Sequence, residues 1–437
     1  MPRVALHTLG CKLNFAETSA IGGQFMARGF DVVEFGDPAD VVVINTCSVT
    51  ERADRECRQL IRRALRRDPG AVVVVTGCYA QLSPEKVASI AGVDIVLGSR
   101  EKFSVFDTVG TLEKQHTPQV FVREIAGTAD FGPAMSGQAG DRTRAFLKVQ
   151  DGCDYSCSYC TIPLARGASR SQAIGAAVGQ AESLVRAGFK EIVLTGVNVG
   201  DYGRKEGSSL LALLHALAPL PGLCRLRISS IEPNLLTTDI LDFMAQSPTL
   251  CKHVHIPLQS GTDSVLRRMR RRYTAEEYAG VIRRVQDTLP GCGIGADVIT
   301  GFPGETDEEF LSSYHFLNDL PVSYLHVFTY SQRPNTPAAD AGQPVEPRIR
   351  QKRSEMLRNL GEKKRTAFLQ NLVGTTSTIL TEGAGEDGYR SGFTDSYARV
   401  AVPASGVGEN ELVRVLLASV QDGRLIGRPL PPREEAA

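Results

Sequence analysis

Three cysteines lie close together in the first half of the chain, and their spacing restricts what can fold around them. Cys153, Cys157 and Cys160 form a C-x3-C-x2-C pattern. Thiolates at such spacing are typical ligands of iron–sulfur clusters or zinc. A structural site of either kind usually has a fourth ligand, but the next cysteine is Cys224 and the loop contains no histidine. We therefore predict three thiolates and one open metal position; the alternative is three zinc-binding or simply buried thiols.

The length and composition are those of a multidomain protein with a full hydrophobic core. The chain has 437 residues, of which 42% are hydrophobic, and this length favours about two to four domains. Lys plus Arg and Asp plus Glu each number 49, so the net charge identifies no partner. The N-terminus has no apolar signal segment and the chain has no membrane-spanning run, which predicts a cytoplasmic protein without membrane association. Cysteines in that compartment favour ligands or free thiols over disulfides.

The N-terminal part alternates between apolar runs and helical patterns, as an α/β domain does. The predicted strands are residues 3–8, 41–45 and 71–76, and the predicted helices are residues 14–28 and 50–67. Buried strands separated by helices favour a parallel sheet, so we predict an α/β domain over residues 1–117. Residues 118–143 are rich in glycine and small residues and are predicted to form a linker.

A second set of three cysteines falls at the ends of these predicted strands. Cys11, Cys47 and Cys78 each come within three residues of a strand end, at the edge of an open parallel sheet where ligands bind. Three strands would bring three thiols to one edge, so we predict a second ligand set. The alternative is three small buried residues, because cysteine is often buried. Cys57 lies inside a predicted helix and is expected to be structural.

Residues 144–370 repeat a strand–helix pattern and end in a charged helix. The six strand candidates are residues 145–149, 191–195, 225–229, 253–257, 293–299 and 322–329. Repeated βα units form a parallel sheet, and six units are fewer than the eight of a closed βα barrel. The central part is therefore predicted to be an α/β domain smaller than a full barrel.

Both cysteine sets resemble the radical S-adenosylmethionine methylthiotransferases. The C-x3-C-x2-C loop, with Tyr159 before its last cysteine, is similar to the cluster loop of radical S-adenosylmethionine enzymes. The stretches TLGCKLN, NTCSVT and TGCYAQ around Cys11, Cys47 and Cys78 resemble the methylthiotransferase N-terminal domain. The resemblance implies an open six-unit βα barrel and two [4Fe-4S] clusters, a catalytic one on the first cysteine set and an auxiliary one on the second. It also implies that the open iron of the catalytic cluster binds S-adenosylmethionine.

Polar residues follow the predicted barrel strands, where the active groups of βα barrels lie. By the resemblance, seven residues are expected to lie near S-adenosylmethionine: Tyr159 at the adenine, Gly196 and Asn198 at the methionine end, Ser230, Glu232 and Gln259 near the ribose or carboxylate, and Asp297 on the fifth strand. For each polar residue the alternative is a loop cap or an internal hydrogen bond.

Two histidines and three further cysteines in this domain are expected to have no ligand role. His253 and His255 alternate along one strand and are predicted to face opposite sides of it. Cys224, Cys251 and Cys292 lack ligand spacing and are predicted to be core thiols.

The last part of the chain, residues 371–433, alternates like short strands and is predicted to be a small all-β barrel. Its predicted strands are residues 375–381, 396–402 and 411–418. It resembles the TRAM domain, an RNA-binding barrel at the end of methylthiotransferases, and the tail after Leu430 is predicted to be disordered. The candidate RNA-binding residues are Arg390, Tyr397, Arg399 and Arg414. Basic clusters at residues 51–67, 267–272 and 345–366 also favour attraction to phosphate.

The resemblance implies a tRNA-modifying transferase, and the three N-terminal stretches are most similar to one branch of the family. That branch adds a methylthio group to C2 of N6-threonylcarbamoyladenosine beside the anticodon. The alternatives are methylthiolation of isopentenyladenosine in tRNA or of a ribosomal-protein aspartate and, from another class, a non-catalytic iron–sulfur protein that carries electrons or binds RNA. The implied partners are the tRNA anticodon stem-loop, a sulfur donor and a reductant such as flavodoxin or ferredoxin.

Overall fold

The computed structural model describes residues 1–48, 51–114, 116–136, 143–385 and 388–431, which form three units in chain order. Val49 and Thr50 of the second N-terminal motif, Gly137 and Gly140 of the predicted linker, and the tail from residue 432 lie outside the described residues. Within the described ranges, no helix combines the length and the apolar composition needed to cross a bilayer.

The N-terminal unit is a parallel sheet covered by helices on both faces. Its elements are β1 (Arg3–Thr8), α1 (Lys12–Ala27), β2 (Asp31–Val33), β3 (Val41–Thr46), α2 (Glu51–Arg67), β4 (Val72–Gly77), α3 (Cys78–Leu82), α4 (Pro84–Ala88), β5 (Ile95–Leu97), α5 (Val105–Val109) and β6 (Gln119–Phe121). The strand order is β2-β1-β3-β4-β5-β6, with every pair parallel. The central strands β3 and β4 are valine-rich and fully buried, as expected for a parallel sheet covered on both faces. The predicted α/β fold is confirmed.

The N-terminal sheet extends further than the sequence indicated. The predicted boundary at residue 117 leaves out β6, which pairs in parallel with β5. These three residues were assigned to the linker because the strand is short and glycines follow it closely. The strand is stabilised by its neighbour in the sheet, which a local pattern does not reveal.

The central unit carries the βα repeats. Its elements are β7 (Arg144–Lys148), β8 (Gln150–Asp151), α6 (Ile162–Arg166), β9 (Arg170–Ser171), α7 (Ile174–Arg186), β10 (Glu191–Thr195), α8 (Leu210–Leu217), β11 (Arg225–Ile228), α9 (Thr238–Gln246), β12 (His253–His255), α10 (Asp263–Arg268), α11 (Ala275–Thr288), β13 (Gly293–Thr300), α12 (Asp307–Asp319), β14 (Tyr324–Thr329), α13 (Pro337–Asp340) and α14 (Pro347–Leu372). Helices α11 and α12 each begin at a Thr-x-x-Glu capping box, in which threonine and glutamate satisfy backbone N–H groups of the first turn.

Six of these strands surround one hydrophobic core. Strands β7, β10 and β11 form one parallel group and β12, β13 and β14 another. Parallel bridges between Leu226 and Leu250 and between Ser230 and His255 join the two groups. Helix α14 packs on β14, and no pairing among the described strands joins β14 to β7. The open six-unit arrangement that the resemblance implied is confirmed.

The C-terminal unit is a closed barrel of five strands. These are β15 (Thr376–Ala384), β16 (Tyr389–Thr394), β17 (Arg399–Pro403), β18 (Leu412–Gln421) and β19 (Arg424–Pro429), in the order β15-β16-β17-β19-β18. The sequence predicted only three strands, because Gly392 and Gly427 interrupt the patterns of β16 and β19. A Cβ on Gly427 would lie 2.8 Å from Val400 Cγ1, so glycine allows the barrel wall to pack closely there.

Two arginines of β11 attach this barrel to the central unit. Arg227 donates to the backbone oxygens of Asp395 at 2.8 Å and Thr394 at 3.3 Å. Arg225 donates to the backbone oxygen of Phe393 at 2.8 Å. Glu191 on β10 accepts from Arg227 at 2.7 Å, so the buried guanidinium has an anionic partner as well as carbonyl acceptors.

Candidate active site

The carboxyl ends of β1, β3 and β4 bring Cys11, Cys47 and Cys78 to one edge of the N-terminal sheet. The three strands end level with one another in the parallel register. A Cβ placed on Gly10 would lie 2.8 Å from the Cβ and 3.0 Å from the Sγ of Cys47. Cys11 precedes α1 and Cys78 begins α3. Three thiols from separate loops therefore share this edge.

Two asparagines hold these loops together. The Asn14 side chain donates to the backbone oxygens of Leu9 at 2.8 Å and Thr46 at 3.0 Å. The Asn45 side chain donates back to the backbone oxygen of Asn14 at 3.0 Å. These buried hydrogen bonds link the loops of Cys11 and Cys47 and fix their relative position.

Gly77→Ala is expected to damage this edge. Gly77 has a φ of 95°, and an added Cβ would overlap Asn45 Oδ1 and the backbone oxygen of Thr46. Displacement of the adjacent Cys78 should lower the iron expected at this edge, while iron at the other cysteine set is retained. Gly110→Ala is the matched control, because Gly110 has a φ of 76° but no atom within 4 Å of an added Cβ. The measurement is iron per chain in the two reconstituted variants. Equal iron content in Gly77→Ala and Gly110→Ala would contradict the expectation.

The second cysteine set lies in a loop whose base is closed by the antiparallel pair β8 and β9. The Cys153 N–H donates to the backbone oxygen of Gly167 at 3.0 Å, and the Cys160 N–H donates to that of Cys157 at 3.1 Å. Gly152 has a φ of 70°, and a Cβ there would overlap the returning chain. The loop is therefore tightly built, and its last two cysteines share one turn.

Both cysteine sets lie in surroundings that disfavour free thiolates. Burial raises the pKa of Cys153 and of Cys160 to about 12, and burial also raises the pKa of Cys11. A bound cationic metal centre reverses this effect, because it stabilises the thiolate form that serves as ligand. Arg271 Nη1 lies 3.1 Å from Cys157 Sγ and adds positive charge. The donor sets fit a metal cluster.

Among the residues that the structure describes, the ligand atoms of His255, Asp297 and His326 form a set of three within 4.8 Å of one another.

The two cysteine sets lie on either side of one helix–helix contact. Helix α3 begins at Cys78, and α6 begins two residues after Cys160. The two helices pack on each other. Ser99, which follows β5, donates to the backbone oxygen of Ala165 on α6 at 2.9 Å. The two predicted ligand sets are thus neighbours in space.

A buried ion network joins the elements that carry the two sets. Arg166, at the end of α6, is 2% exposed and donates to Glu17 Oε1 at 2.8 Å and Asp151 Oδ1 at 3.1 Å. Glu17, on α1, also accepts from Lys102 at 2.6 Å and Lys148 at 3.2 Å. Burial alone would raise the pKa of Glu17, but the cations hold it well below its ordinary value. Sequence analysis missed this network because Arg166 and Glu17 are 149 positions apart.

A cavity opens beside Cys160, with a volume of about 190 Å³ accessible to water. Its wall includes three of the predicted cofactor residues, Tyr159, Gln259 and Asp297. The Tyr159 ring packs edge-on against Phe302 with centroids 6.5 Å apart. An aromatic and apolar wall with a few polar groups is typical of a small-molecule site, and this cavity lies next to the cysteine loop.

In the loop after β10, the Asn198 side chain is buried without a partner among the described residues, whereas Gly196 packs against another side chain. Asn198 is buried, and neither polar atom of its side chain has a partner among the described residues. Because buried polar atoms are normally paired, Asn198 fits a polar ligand group. Gly196 instead packs on Gln150, whose Oε1 would lie 2.8 Å from an added Cβ. Gln150, which sequence analysis did not single out, accepts from the Asn198 N–H at 2.9 Å and donates to the Gly152 oxygen at 2.8 Å.

Ser230 and Asp297 are linked through one histidine. His255 Nδ1 lies 2.8 Å from Ser230 Oγ, and its Nε2 lies 2.9 Å from Asp297 Oδ1. The expectation that His253 and His255 face opposite sides was wrong, because residues two apart in a strand share a face. Both ring nitrogens of His255 are occupied by hydrogen bonds, so Ser230, His255 and Asp297 form a hydrogen-bonded chain. His326 contacts the His255 ring with centroids 5.4 Å apart.

Glu232 pairs with Arg271, the arginine that reaches Cys157. Arg271 belongs to the basic cluster predicted to contact RNA, as do Arg268 and Arg272. Arg268 pairs with Glu309 at 2.7 Å, and the Arg272 guanidinium stacks 3.9 Å from the centre of an aromatic ring of the cysteine loop. Arg271 therefore belongs to the active-site region, whereas Arg268 and Arg272 are exposed. The RNA contact of this cluster stays a prediction.

The candidate RNA-binding residues of the C-terminal barrel divide into two groups. Tyr397 packs against His253 of the central unit with ring centroids 4.8 Å apart, so its ring is engaged between the two units. Arg390 donates to two backbone oxygens of its own barrel. Arg399 is exposed and Arg414 is half-buried. Tyr397 and Arg390 therefore make contacts within the protein, and the RNA-binding role of all four residues stays a prediction.

Two family models match the chain, one over each cysteine-bearing unit. The model described as Uncharacterized protein family UPF0004 matches residues 3–98. The model described as Radical SAM superfamily matches residues 147–317. Cys11, Cys47 and Cys78 fall within the first match, and the C-x3-C-x2-C loop falls within the second.

Curated relatives align along nearly the whole chain. The Bacillus subtilis protein named threonylcarbamoyladenosine tRNA methylthiotransferase MtaB is 39% identical over 96% of this chain and 94% of the relative. Its namesake from Aquifex aeolicus is 39% identical over 87% of this chain and 95% of the relative. The Lawsonia intracellularis protein named tRNA-2-methylthio-N(6)-dimethylallyladenosine synthase is 30% identical over 97% of this chain and 98% of the relative.

A solved structure shares the fold at low sequence identity. The radical S-adenosylmethionine methyltransferase TsrM from Kitasatospora setae, with tryptophan and a SAM analogue bound, superposes with a TM-score of 0.57 and 15% identity. The match covers 88% of this chain and 79% of that one. With the two cysteine sets, the open six-unit sheet and relatives aligned almost end to end, the chain belongs to the methylthiotransferase family of radical S-adenosylmethionine enzymes.

Proposed function

We propose that this protein adds a methylthio group to C2 of N6-threonylcarbamoyladenosine in tRNA, beside the anticodon. The observation that carries the proposal is the pair of three-cysteine sets held side by side by buried ion pairs. The names of the Bacillus subtilis and Aquifex aeolicus relatives support threonylcarbamoyladenosine as the substrate. The name of the Lawsonia intracellularis relative, at lower identity, makes dimethylallyladenosine the second candidate.

Each cysteine set would hold one [4Fe-4S] cluster. The cluster on Cys153, Cys157 and Cys160 would supply radical chemistry with S-adenosylmethionine, and the cluster on the N-terminal set would supply the site for sulfur. A radical is required because the C2 carbon of adenine is neither acidic nor electrophilic. The protein's own contribution is binding, orientation and exclusion of water.

The cavity residues would divide the binding of S-adenosylmethionine among them. Tyr159, Gln259 and Asp297 line the cavity and would contact the cofactor directly. Asn198 would donate to or accept from its polar groups, since both side-chain atoms are buried without a partner among the described residues. Three predicted residues would act indirectly: Ser230 through a histidine, Glu232 through Arg271 and Gly196 through Gln150.

Exposed basic residues support a tRNA partner. Those on α2 are Arg55, Arg62, Arg63, Arg66 and Arg67, and those on α14 are Arg348, Lys352, Arg358, Lys363 and Arg365. Together with Arg399 and Arg414 of the barrel they offer phosphate contacts to an anticodon stem-loop. A sulfur donor and a reductant such as flavodoxin or ferredoxin complete the proposed set of partners, and tRNA as substrate favours action in the cytoplasm.

Mass spectrometry of tRNA nucleosides from cells with and without the gene tests the proposal. Loss of the 2-methylthio form of threonylcarbamoyladenosine, with accumulation of the unthiolated nucleoside, is the expected result. Restoration by the wild-type gene but not by a Cys11→Ala gene would assign the activity to this protein. An unchanged level of that nucleoside, with loss of the methylthio dimethylallyl form instead, would overturn the proposed substrate.

A further inference from the structure

Lys12 is an unpaired cation next to the N-terminal cysteine set. It directly follows Cys11, is the first residue of α1, and its side chain is exposed. In the part of the chain that the structure describes, its Nζ has no hydrogen bond or ion pair; its recorded contact is the Tyr397 ring, 5.6 Å away. The Lys12 side chain therefore extends from the cysteine edge toward Tyr397 of the C-terminal barrel.

The position of Lys12 is electrostatically unfavourable in the protein alone. The N-terminus of a helix carries partial positive charge and disfavours a cation, and the first turn of the 16-residue α1 contains no acidic residue. Tyr397 and Glu191 attract the Lys12 ammonium group, whereas Arg144 and Arg227 repel it. Each of these arginines already has its own carboxylate, Glu382 at 3.0 Å and Glu191 at 2.7 Å respectively. Lys12 thus remains a positive charge without a carboxylate of its own among the described residues.

The other groups around Lys12 do not neutralise it either. His253 and His326 lie within electrostatic reach of its ammonium group, and Tyr397 presents a ring face. Asp297, the acid on this side of the central sheet, is bound to His255. A bound anionic ligand would interact with the Lys12 ammonium group and with the aromatic rings around it.

We propose that Lys12 binds the carboxylate of the threonylcarbamoyl group and makes the enzyme selective for an anionic substituent on the adenine. This inference rests on the proposed function. Threonylcarbamoyl carries a carboxylate, whereas a dimethylallyl group is uncharged. A base that presented its C2 atom at the cysteine edge would bring its N6 substituent into the surroundings of Cys11, because C2 and C6 belong to the same six-membered ring. The neighbouring residue is well placed to recognise the substituent.

Binding of synthetic RNA tests the role without requiring turnover. Three anticodon stem-loops of one sequence would carry N6-threonylcarbamoyladenosine, its methyl ester, or adenosine at the modified position. The protein is reconstituted with both clusters, as wild type, Lys12→Gln, Lys12→Arg and Lys252→Gln. Lys252→Gln removes one exposed positive charge elsewhere, and iron content checks that the change beside Cys11 leaves the cluster in place.

Lys12→Gln is expected to weaken binding of the carboxylate RNA about tenfold to a hundredfold, the range for a hydrogen bond to a charged group. The ester and adenosine RNAs should be almost unaffected, Lys12→Arg should keep most of the discrimination, and Lys252→Gln should keep all of it. Equal weakening of all three RNAs would mean a phosphate contact and would overturn the inference, as would a Lys12→Gln protein that still prefers the acid to the ester. Failure of wild type to methylthiolate the carboxylate RNA would instead overturn the proposed function.

Discussion

Alanine in place of Cys11, Cys47 and Cys78 is expected to abolish methylthio transfer while leaving reductive cleavage of S-adenosylmethionine measurable. The cavity proposed for S-adenosylmethionine is lined by Tyr159 and Cys160 of the central unit and by no residue of the N-terminal sheet. The converse variant, with alanine at Cys153, Cys157 and Cys160, should lose both reactions, since the open iron that binds S-adenosylmethionine would be absent. Transfer should fall below detection in both triple variants.

Two products measured in parallel separate these outcomes. 5′-Deoxyadenosine reports cleavage of S-adenosylmethionine, and the methylthio nucleoside reports transfer to an anticodon stem-loop. Cys224→Ala is the control, because Cys224 lies outside both sets and is only partly buried. Loss of 5′-deoxyadenosine in the N-terminal triple variant, with iron still bound at the central set, would contradict the division of labour between the two units.

Glu17→Gln is expected to destabilise the protein by about 3–5 kcal/mol, the cost of leaving buried charges without their partner. Glu17 is fully buried and accepts from Lys102, Lys148 and Arg166. Glutamine keeps the shape but removes the charge, so Lys148, Arg166 and Arg170 would share Asp151, and Lys102 would lose the carboxylate that it pairs with. The loss should appear as a lower denaturant midpoint and as earlier proteolysis between the first two units.

The pH dependence of stability gives a second readout. The cations hold the pKa of Glu17 well below its ordinary value, so its stabilising contribution is present above the unfolded pKa of about 4.3 and is lost as the pH falls below it. Glu17→Gln should therefore weaken the loss of stability in acid. Glu182→Gln is the control, because that glutamate lies in an exposed pair with Arg186 at 3.7 Å and should change stability by about 0.5 kcal/mol or less. Equal losses in both variants would contradict the role of the network.

Local patterns were sufficient for the parts of the fold that depend on local sequence. β1, β3 and β4 are continuous buried runs, so their ends, and the cysteines beyond them, could be placed from the sequence. The C-x3-C-x2-C loop was similarly evident, because its ligands lie within eight consecutive residues. Strands β16 and β19 could not be predicted from the sequence, because each contains a glycine whose role depends on its neighbours in the closed barrel.

Residues whose roles depend on distant partners could not be assigned from sequence. Arg271 stood in a run of arginines that indicates RNA binding, yet its guanidinium lies between Glu232 and Cys157. Tyr397 has the residue type of a base-stacking platform, but its left-handed backbone, with a φ of 68°, directs the ring toward His253. In both cases the role of the side chain depends on tertiary contacts, which cannot be inferred from spacing or residue type.

The attachment of the C-terminal barrel through Arg225 and Arg227 has a geometric consequence. Both arginines project from β11, a strand of the central sheet, and their guanidinium groups bind backbone oxygens of the barrel rather than its mobile side chains. A domain on a flexible linker would occupy many positions relative to the central unit. This barrel is instead held at one distance from the cysteine loop. An RNA bound to Arg399 or Arg414 would therefore lie at a fixed distance from the cavity. That distance would determine which of its nucleotides reaches the cavity.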